Sequence, residues 1–388
     1  MTDDGMCDRC IESLNAGHNY CVKCGRPTGL ASGTRTAAPS DTAVAQDAAA
    51  DTIPEAGAAP CSPAPIAPAV PAAGGSTFMD AVRIIGTGLL FICAVFLCVE
   101  IYGLFWTFFQ TLPDVGSYPL PLIIIFPDPM VLFWMTGSLS AVYYLFLTAS
   151  VLVSFFFVFY RSREGVVKGL FRNNLGAMDD TPLYSVATLF AATISFNLIF
   201  NLIVMLLGYS PTVPDFSGPP FWYEWWGFLN ASVWEEVLCR VLMIGVPLML
   251  IGLLMNKTGS WKRIFGHFDM DKFALLFIFI SALLFSYAHV AGWDAFKMIP
   301  TFATGLALGY LFVKYGIYAS IMMHFLIDYL LSITWISGGT LESEAAVGMF
   351  LMFIAVVGMI FMISYAVRGT KYVVKKMSEG QQPLQPFP

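Results

Sequence analysis

Residues 231–240 read ASVWEEVLCR at the head of a run that continues VLMIGVPLMLIGLLM. Two adjacent carboxylates and a guanidinium therefore stand in a segment that is otherwise soluble in hydrocarbon. On insertion scales Glu235, Glu236 and Arg240 together cost on the order of 8 kcal/mol if unpaired, so each needs a partner. Glu236 and Arg240 are four apart on one helical face in the favoured acid-before-base order. Glu235 is turned away from that face and must find a partner on another helix or in a wet pocket. Two further apolar segments carry imidazoles: FSYAHV, with Phe285 four residues before His289, and MHFLIDYL, with His324 four residues before Asp328. One free carboxylate and two imidazoles suit hydrolysis, in which a base takes a proton from water and a donor holds the tetrahedral oxygen. Glu235, His289, His324 and Asp328 could instead hold a zinc ion with an open position. A wholly structural role, charges paired to fix helix packing, is the bland alternative.

These residues need helices to carry them. The chain has 388 residues, 57% hydrophobic and 12% charged, with a mean hydropathy of +0.71. Such values belong to a bilayer protein rather than a soluble domain. The net charge of −6 gives no reason to expect nucleic acid, because acids and bases are sorted along the chain. Crossing the hydrocarbon takes about 20 apolar residues. Runs of that kind lie near 82–109, 131–160, 185–208, 227–255, 273–291, 298–313, 316–336 and 346–366. The expected fold is thus all-α, with eight transmembrane helices in a domain spanning 80–376 and a flexible tail at 377–388. Arg83, Arg161, Arg163, Lys168, Arg172, Lys257, Lys262, Arg263, Lys272, Lys314, Arg368, Lys371, Lys375 and Lys376 all fall on one side of that arrangement, and Lys297 falls on the other. The positive-inside rule then puts both termini in the cytoplasm of a cell-membrane protein. Trp222, Tyr223, Trp225 and Trp226 would join the outer aromatic belt. Glu100, near the outer end of the first run, would reach the interface. Asn197 and Asn201 would bond between helices, and Gly305 and Gly309 would allow close helix packing.

Residues 1–76 hold no apolar signal region, so the first span is expected to act as a retained insertion signal. Cys7, Cys10, Cys21 and Cys24 form two CxxC knuckles, similar to the zinc-ribbon family of small domains. Four thiolates suit a tetrahedral structural zinc, and a piece this short has no apolar core to fold on. A ribbon at 1–26 is therefore expected, able to dock proteins or nucleic acids. Residues 27–76, rich in Ala, Pro, Gly, Ser and Thr, are expected to form a disordered linker.

The ordered set Glu235-Glu236-x-x-x-Arg240, Phe285-x-x-x-His289 and His324-x-x-x-Asp328 resembles the three motifs of the CPBP family. That family comprises intramembrane proteases, among them CAAX prenyl endopeptidases and bacteriocin-processing proteins, and the likeness covers about residues 180–335. It implies an eight-helix layout and an endopeptidase acting on a membrane-associated protein or peptide. It further implies that Glu235, with His289, activates water, that Glu236 and Arg240 form the pair that fixes Glu235, and that His324 and the residue four later hold the oxyanion. That residue is Asp328, where prenyl-processing members have Asn. An ionised Asp would repel an oxyanion, so it must be protonated, orient His324 or bind metal. The metal-free route is preferred, because no H-E-x-x-H is present and the resemblance points to a glutamate mechanism. The competing function is a non-catalytic transporter or scaffold with a structural polar cluster.

Overall fold

The computed structural model describes residues 77–125, 129–172, 174–210, 220–331 and 339–378. The expected ribbon with Cys7, Cys10, Cys21 and Cys24, the linker and most of the tail lie outside them. Among the described residues the chain is mostly helical. Helix α1 (Thr77–Thr111) leads to a two-stranded antiparallel hairpin, β1 (Leu120–Ile124) and β2 (Met130–Met135). Then follow α2 (Ser138–Phe171), α3 (Pro182–Leu206) and α4 (Phe221–Asn230). From α4 the chain runs through two stretches of π-helix, π1 (Ala231–Glu235) and π2 (Val237–Gly245), into α5 (Val246–Leu254). The remaining helices are α6 (Lys272–Ala288), the short α7 (Val290–Trp293), α8 (Met298–Tyr315), α9 (Ile317–Asp328) and α10 (Leu341–Ser378).

Among the described residues seven helical stretches are long and apolar enough to cross a bilayer: Asp80–Thr111, Ser138–Phe171, Pro182–Leu206, Trp222–Leu254, Lys272–Trp293, Ala295–Tyr315 and Leu341–Lys376. This is an integral membrane protein. Of the expected span at 316–336 the described residues hold the 12-residue α9 and a 3-10 turn at Tyr329–Leu331, and its last part lies outside them. The N-terminus of α9 is fixed by Gly316, whose φ of 112° lets α8 turn into α9 with no intervening loop.

The start of the second expected span also differs. Residues 130–135 extend as β2 and pair with β1, and α2 begins only at Ser138. Pro119, just before β1, disfavours helix for the residue that precedes it, which an apolar count alone does not register.

Polar caps start the helices that carry the site. Thr181 accepts from the Tyr184 amide at the head of α3, where Pro182 occupies the first turn. Asp271 accepts from the Ala274 amide at the head of α6. Helix α8 meets α6 through its two glycines: a Cβ on Gly305 would lie 3.0 Å from Ala282, and one on Gly309 would lie 2.9 Å from Ile278. The expectation of close packing at these two positions is met.

Three expectations are corrected by the packing. Trp222, Trp225 and Trp226 are buried rather than displayed to lipid, with Trp225 against the Tyr329 ring at 5.2 Å and Trp222 against Tyr118 at 5.4 Å. Glu100 does not reach the interface: it is fully buried, neither carboxylate oxygen has a hydrogen-bond partner among the described residues, and its charge is within electrostatic range of Asp328. Asn197 donates to Thr193 O within its own helix at 2.9 Å rather than across to another.

The glycine contacts generate a stability prediction. Gly305→Leu forces a branched side chain into the α6 contact, and overpacking of this kind costs about 1–3 kcal/mol. Thermal unfolding of the purified protein in detergent should show a lowered midpoint, with an exposed control such as Gly348→Ala, which meets no neighbour, near the parent value.

Candidate active site

The segment bearing the paired carboxylates is not ordinary α-helix. The π geometry of 231–235 and 237–245 widens the turn, and such insertions in helices recur at functional sites. Two tethers hold this stretch. Trp234 Nε1 donates to Ile123 O of β1 at 2.7 Å, fixing it to the hairpin. On the other side Gly245 lies against the 260–265 turn so closely that a Cβ would sit 2.8 Å from Ile264 O.

Glu236 is the hub of the buried charge. It is fully enclosed, as is Arg240, whose Nε lies 3.1 Å from Glu236 Oε2. That contact is an ion pair rather than an aligned hydrogen bond. Arg240 Nη1 donates to Ser281 Oγ at 3.2 Å, and the guanidinium stands 5.0 Å from the centre of the Phe285 ring. Ser281 Oγ in turn donates to Cys239 O at 2.6 Å. Glu236 also accepts from Ser320 Oγ, and its Oε1 lies 2.9 Å from His324 Nδ1. Four elements, π1–π2, α6, α8 through Leu308 O, which accepts from Ser320 at 3.1 Å, and α9, are joined by this one network.

With Nδ1 held by Glu236, the other nitrogen of His324 is aimed at the remaining acids. Nε2 lies 3.4 Å from Asp328 Oδ2 and 4.0 Å from Glu235 Oε2. Glu235 Oε2 is buried and has no hydrogen-bond partner among the described residues, although the side chain as a whole keeps 23% of its exposure. Asp328 Oδ2 accepts from Ser232 Oγ at 3.1 Å. Five of the six sequence candidates, Glu235, Glu236, Arg240, His324 and Asp328, therefore form one continuous cluster.

His289 joins it differently. It caps the C-terminus of α6, its Nδ1 lies 2.8 Å from Phe285 O, and among the described residues its Nε2 has no partner. Its link to the cluster is the Phe285 ring, 4.8 Å from His289 and 5.9 Å from His324 by ring centres, nearly perpendicular to the latter. The imidazole near Glu235 is that of His324.

Among the described residues no three His, Cys, Asp or Glu side chains converge to hold a metal ion.

Residues 217–330 match the family model described as type II CAAX prenyl endopeptidase Rce1-like. This segment is an Rce1-like domain. The assignment is consistent with the CPBP family, and the matched residues enclose all six candidates, from Glu235 in π1 to Asp328 at the end of α9. No curated protein and no solved structure matches the chain.

Sequence reasoning missed four members of this cluster and its tethers, Ser232, Ser281, Ser320 and Trp234. Ser232, Ser281 and Ser320 each stand four residues before a motif residue, namely Glu236, Phe285 and His324, and that spacing is a legible signal. Trp234 gave none, because its partner belongs to a hairpin that was not foreseen. Glu236→Ala leaves the Arg240 guanidinium enclosed without its counter-charge, which costs about 3–5 kcal/mol. A thermal midpoint well below that of Glu235→Ala, measured side by side, is the expected result.

Proposed function

We propose that this chain is an intramembrane endopeptidase that hydrolyses a peptide bond of a membrane-associated protein or peptide with water activated by Glu235. The observation that carries this reading is the buried Glu235 Oε2, free of hydrogen-bond partners and 4.0 Å from a His324 ring whose orientation is fixed from behind by Glu236. A purely structural acid would be expected to be paired, as Glu236 is. The match of residues 217–330 to a CAAX endopeptidase family supports the same reaction class.

The roles follow from what each group can reach. Glu235 is the general base that takes a proton from the attacking water. His289, with Nε2 open, is the second group facing that water. His324 is set to donate from Nε2 toward the developing oxyanion, with Glu236 accepting at Nδ1. Asp328, seated on the Ser232 hydroxyl, lies 3.4 Å from that same Nε2 and orients the ring in the resting site, and the Nε2–H passes from it to the oxyanion when substrate is bound. Glu236 and Arg240 are positioning residues that act through His324 and the π-helical backbone. The basic ends of the spans face the cytoplasm under the positive-inside rule, so both termini lie there.

Glu235→Gln should lower cleavage by about 10²–10⁴-fold with the thermal midpoint unchanged, since it removes the base and keeps the shape. Membranes from cells carrying the parent and this variant are compared by terminal proteomics, and a peptide terminus found only with the parent is the expected signature. Equal sets of termini would refute the protease reading. Asp328→Asn, which retains an oxygen for Ser232, should keep activity within about tenfold, whereas loss as deep as that of Glu235→Gln would place Asp328 in the proton transfer itself.

Zinc in the ribbon is also proposed, on the spacing of Cys7, Cys10, Cys21 and Cys24 alone. Metal analysis of the full chain should find zinc, and none after Cys7→Ser with Cys10→Ser. Zinc retained by that double variant would put the metal elsewhere.

A further inference from the structure

Away from the cluster just described, α3, α6, α8 and α10 enclose a cleft of about 1010 Å³, which shares no lining residue with Glu235, Glu236, Arg240, His289, His324 or Asp328. Its walls are apolar over most of their length, with Leu189 and Phe196 from α3, Ile278 from α6, Leu306 from α8 and Met362 from α10. At the end where the basic residues gather it meets a second cavity of about 370 Å³, and the two share Tyr310, Lys314, Tyr365 and Arg368. This second cavity is polar and charged, lined by Arg83, Asp179, Asp180, Tyr184 and Ser364 among others.

Three of the lining side chains are basic, Arg83, Lys314 and Arg368, and two are acidic, Asp179 and Asp180. Arg83 Nε is 3.0 Å from Asp179 Oδ2 and its Nη1 is 3.5 Å from Asp80. Lys314 Nζ is 3.2 Å from Asp180 Oδ1. Arg368 has no ion pair among the described residues, and Lys371, one turn further along α10, is exposed beside it. One acceptor is left over as well: Asp179 Oδ1 is buried and accepts no hydrogen bond among the described residues.

An apolar cleft between membrane spans that continues into a polar chamber, where the Arg368 guanidinium has no ion pair among the described residues, suits an amphiphile. We infer that these joined cavities are a binding site for one anionic phospholipid, its acyl chains in the larger cleft and its phosphate beside Arg368. Basic pockets between spans on the cytoplasmic side are where lipid head groups bind. A free phosphate would fill the small chamber and leave the cleft without an occupant, so the shape favours the lipid. The open acceptor on Asp179 favours a head group that carries hydroxyl donors over a choline, which has none. The site is independent of the catalytic reading, because binding is measured with no cleavage.

The test uses the full chain purified in a neutral detergent, with phosphatidylglycerol and phosphatidylcholine of the same acyl chains added in equal amounts, and bound lipid counted by native mass spectrometry. The parent should retain phosphatidylglycerol over phosphatidylcholine by about fivefold or more, the effect of one basic side chain at a membrane surface. Arg368→Gln should bring the two lipids within about twofold of each other. Ala366→Trp, an exposed position that lines the cleft, should lower retention of both lipids while Arg368 remains. Glycerol 3-phosphate should compete poorly. Equal retention of both lipids by the parent, an undiminished preference in Arg368→Gln, undiminished retention in Ala366→Trp, or full displacement by glycerol 3-phosphate would each overturn the assignment.

Discussion

The geometry depends on one enclosed carboxylate. Glu236 is cut off from water, and in such surroundings a charge persists only where donors surround it. Its donors come from Arg240 on its own segment and from Ser320 and His324 on α9. Each element that supplies one is held at a fixed distance from the others. The pairing that makes the charge tolerable thereby also sets the angle of the His324 ring. Stability and chemistry share the same atoms, and the neighbouring Glu235, one residue earlier, is left with an oxygen to spare.

The frame around that hub is built for close approach. Glycines at 305 and 309 let α8 lie against α6, and Gly316 turns α8 directly into α9. The consequence is that Phe285 of α6, His324 of α9 and Arg240 of π2 meet around one aromatic ring. That ring separates the two imidazoles. His289 is thus held as a companion at the edge of the cluster, oriented by the carbonyl of the residue four positions before it.

Much of this was legible in the residues. Apolar length found the spans because hydrocarbon thickness is a hard constraint, and polar residues inside those spans stood out because each is costly there. The pairing of Glu236 with Arg240 followed from helical spacing, and so did the nearness of His324 and Asp328. What failed was everything that hydropathy does not encode. The run at 130–135 is as apolar as any span yet pairs as a strand. Trp222, Trp225 and Trp226 match an interfacial belt by type but are buried. Glu100 looked terminal and is enclosed, because neighbouring elements cover the end of α1. Which imidazole stands nearest Glu235 was not legible, since the facing of two helices depends on their contacts and not on either helix's own periodicity.

The π-helical stretch carries a further consequence for how this chain can vary. A wider turn holds more residues per revolution, so excising a single residue between 231 and 245 would relax the segment to ordinary winding. Trp234 and Gly245 pin its two flanks, to the hairpin and to the 260–265 turn. The slack would therefore be taken up as rotation, swinging Glu235 and Glu236 off the bearing they now share with α9. Indels that merely slide other spans along the bilayer normal would here dismantle the acid pair, which makes this the segment of the bundle least able to change length.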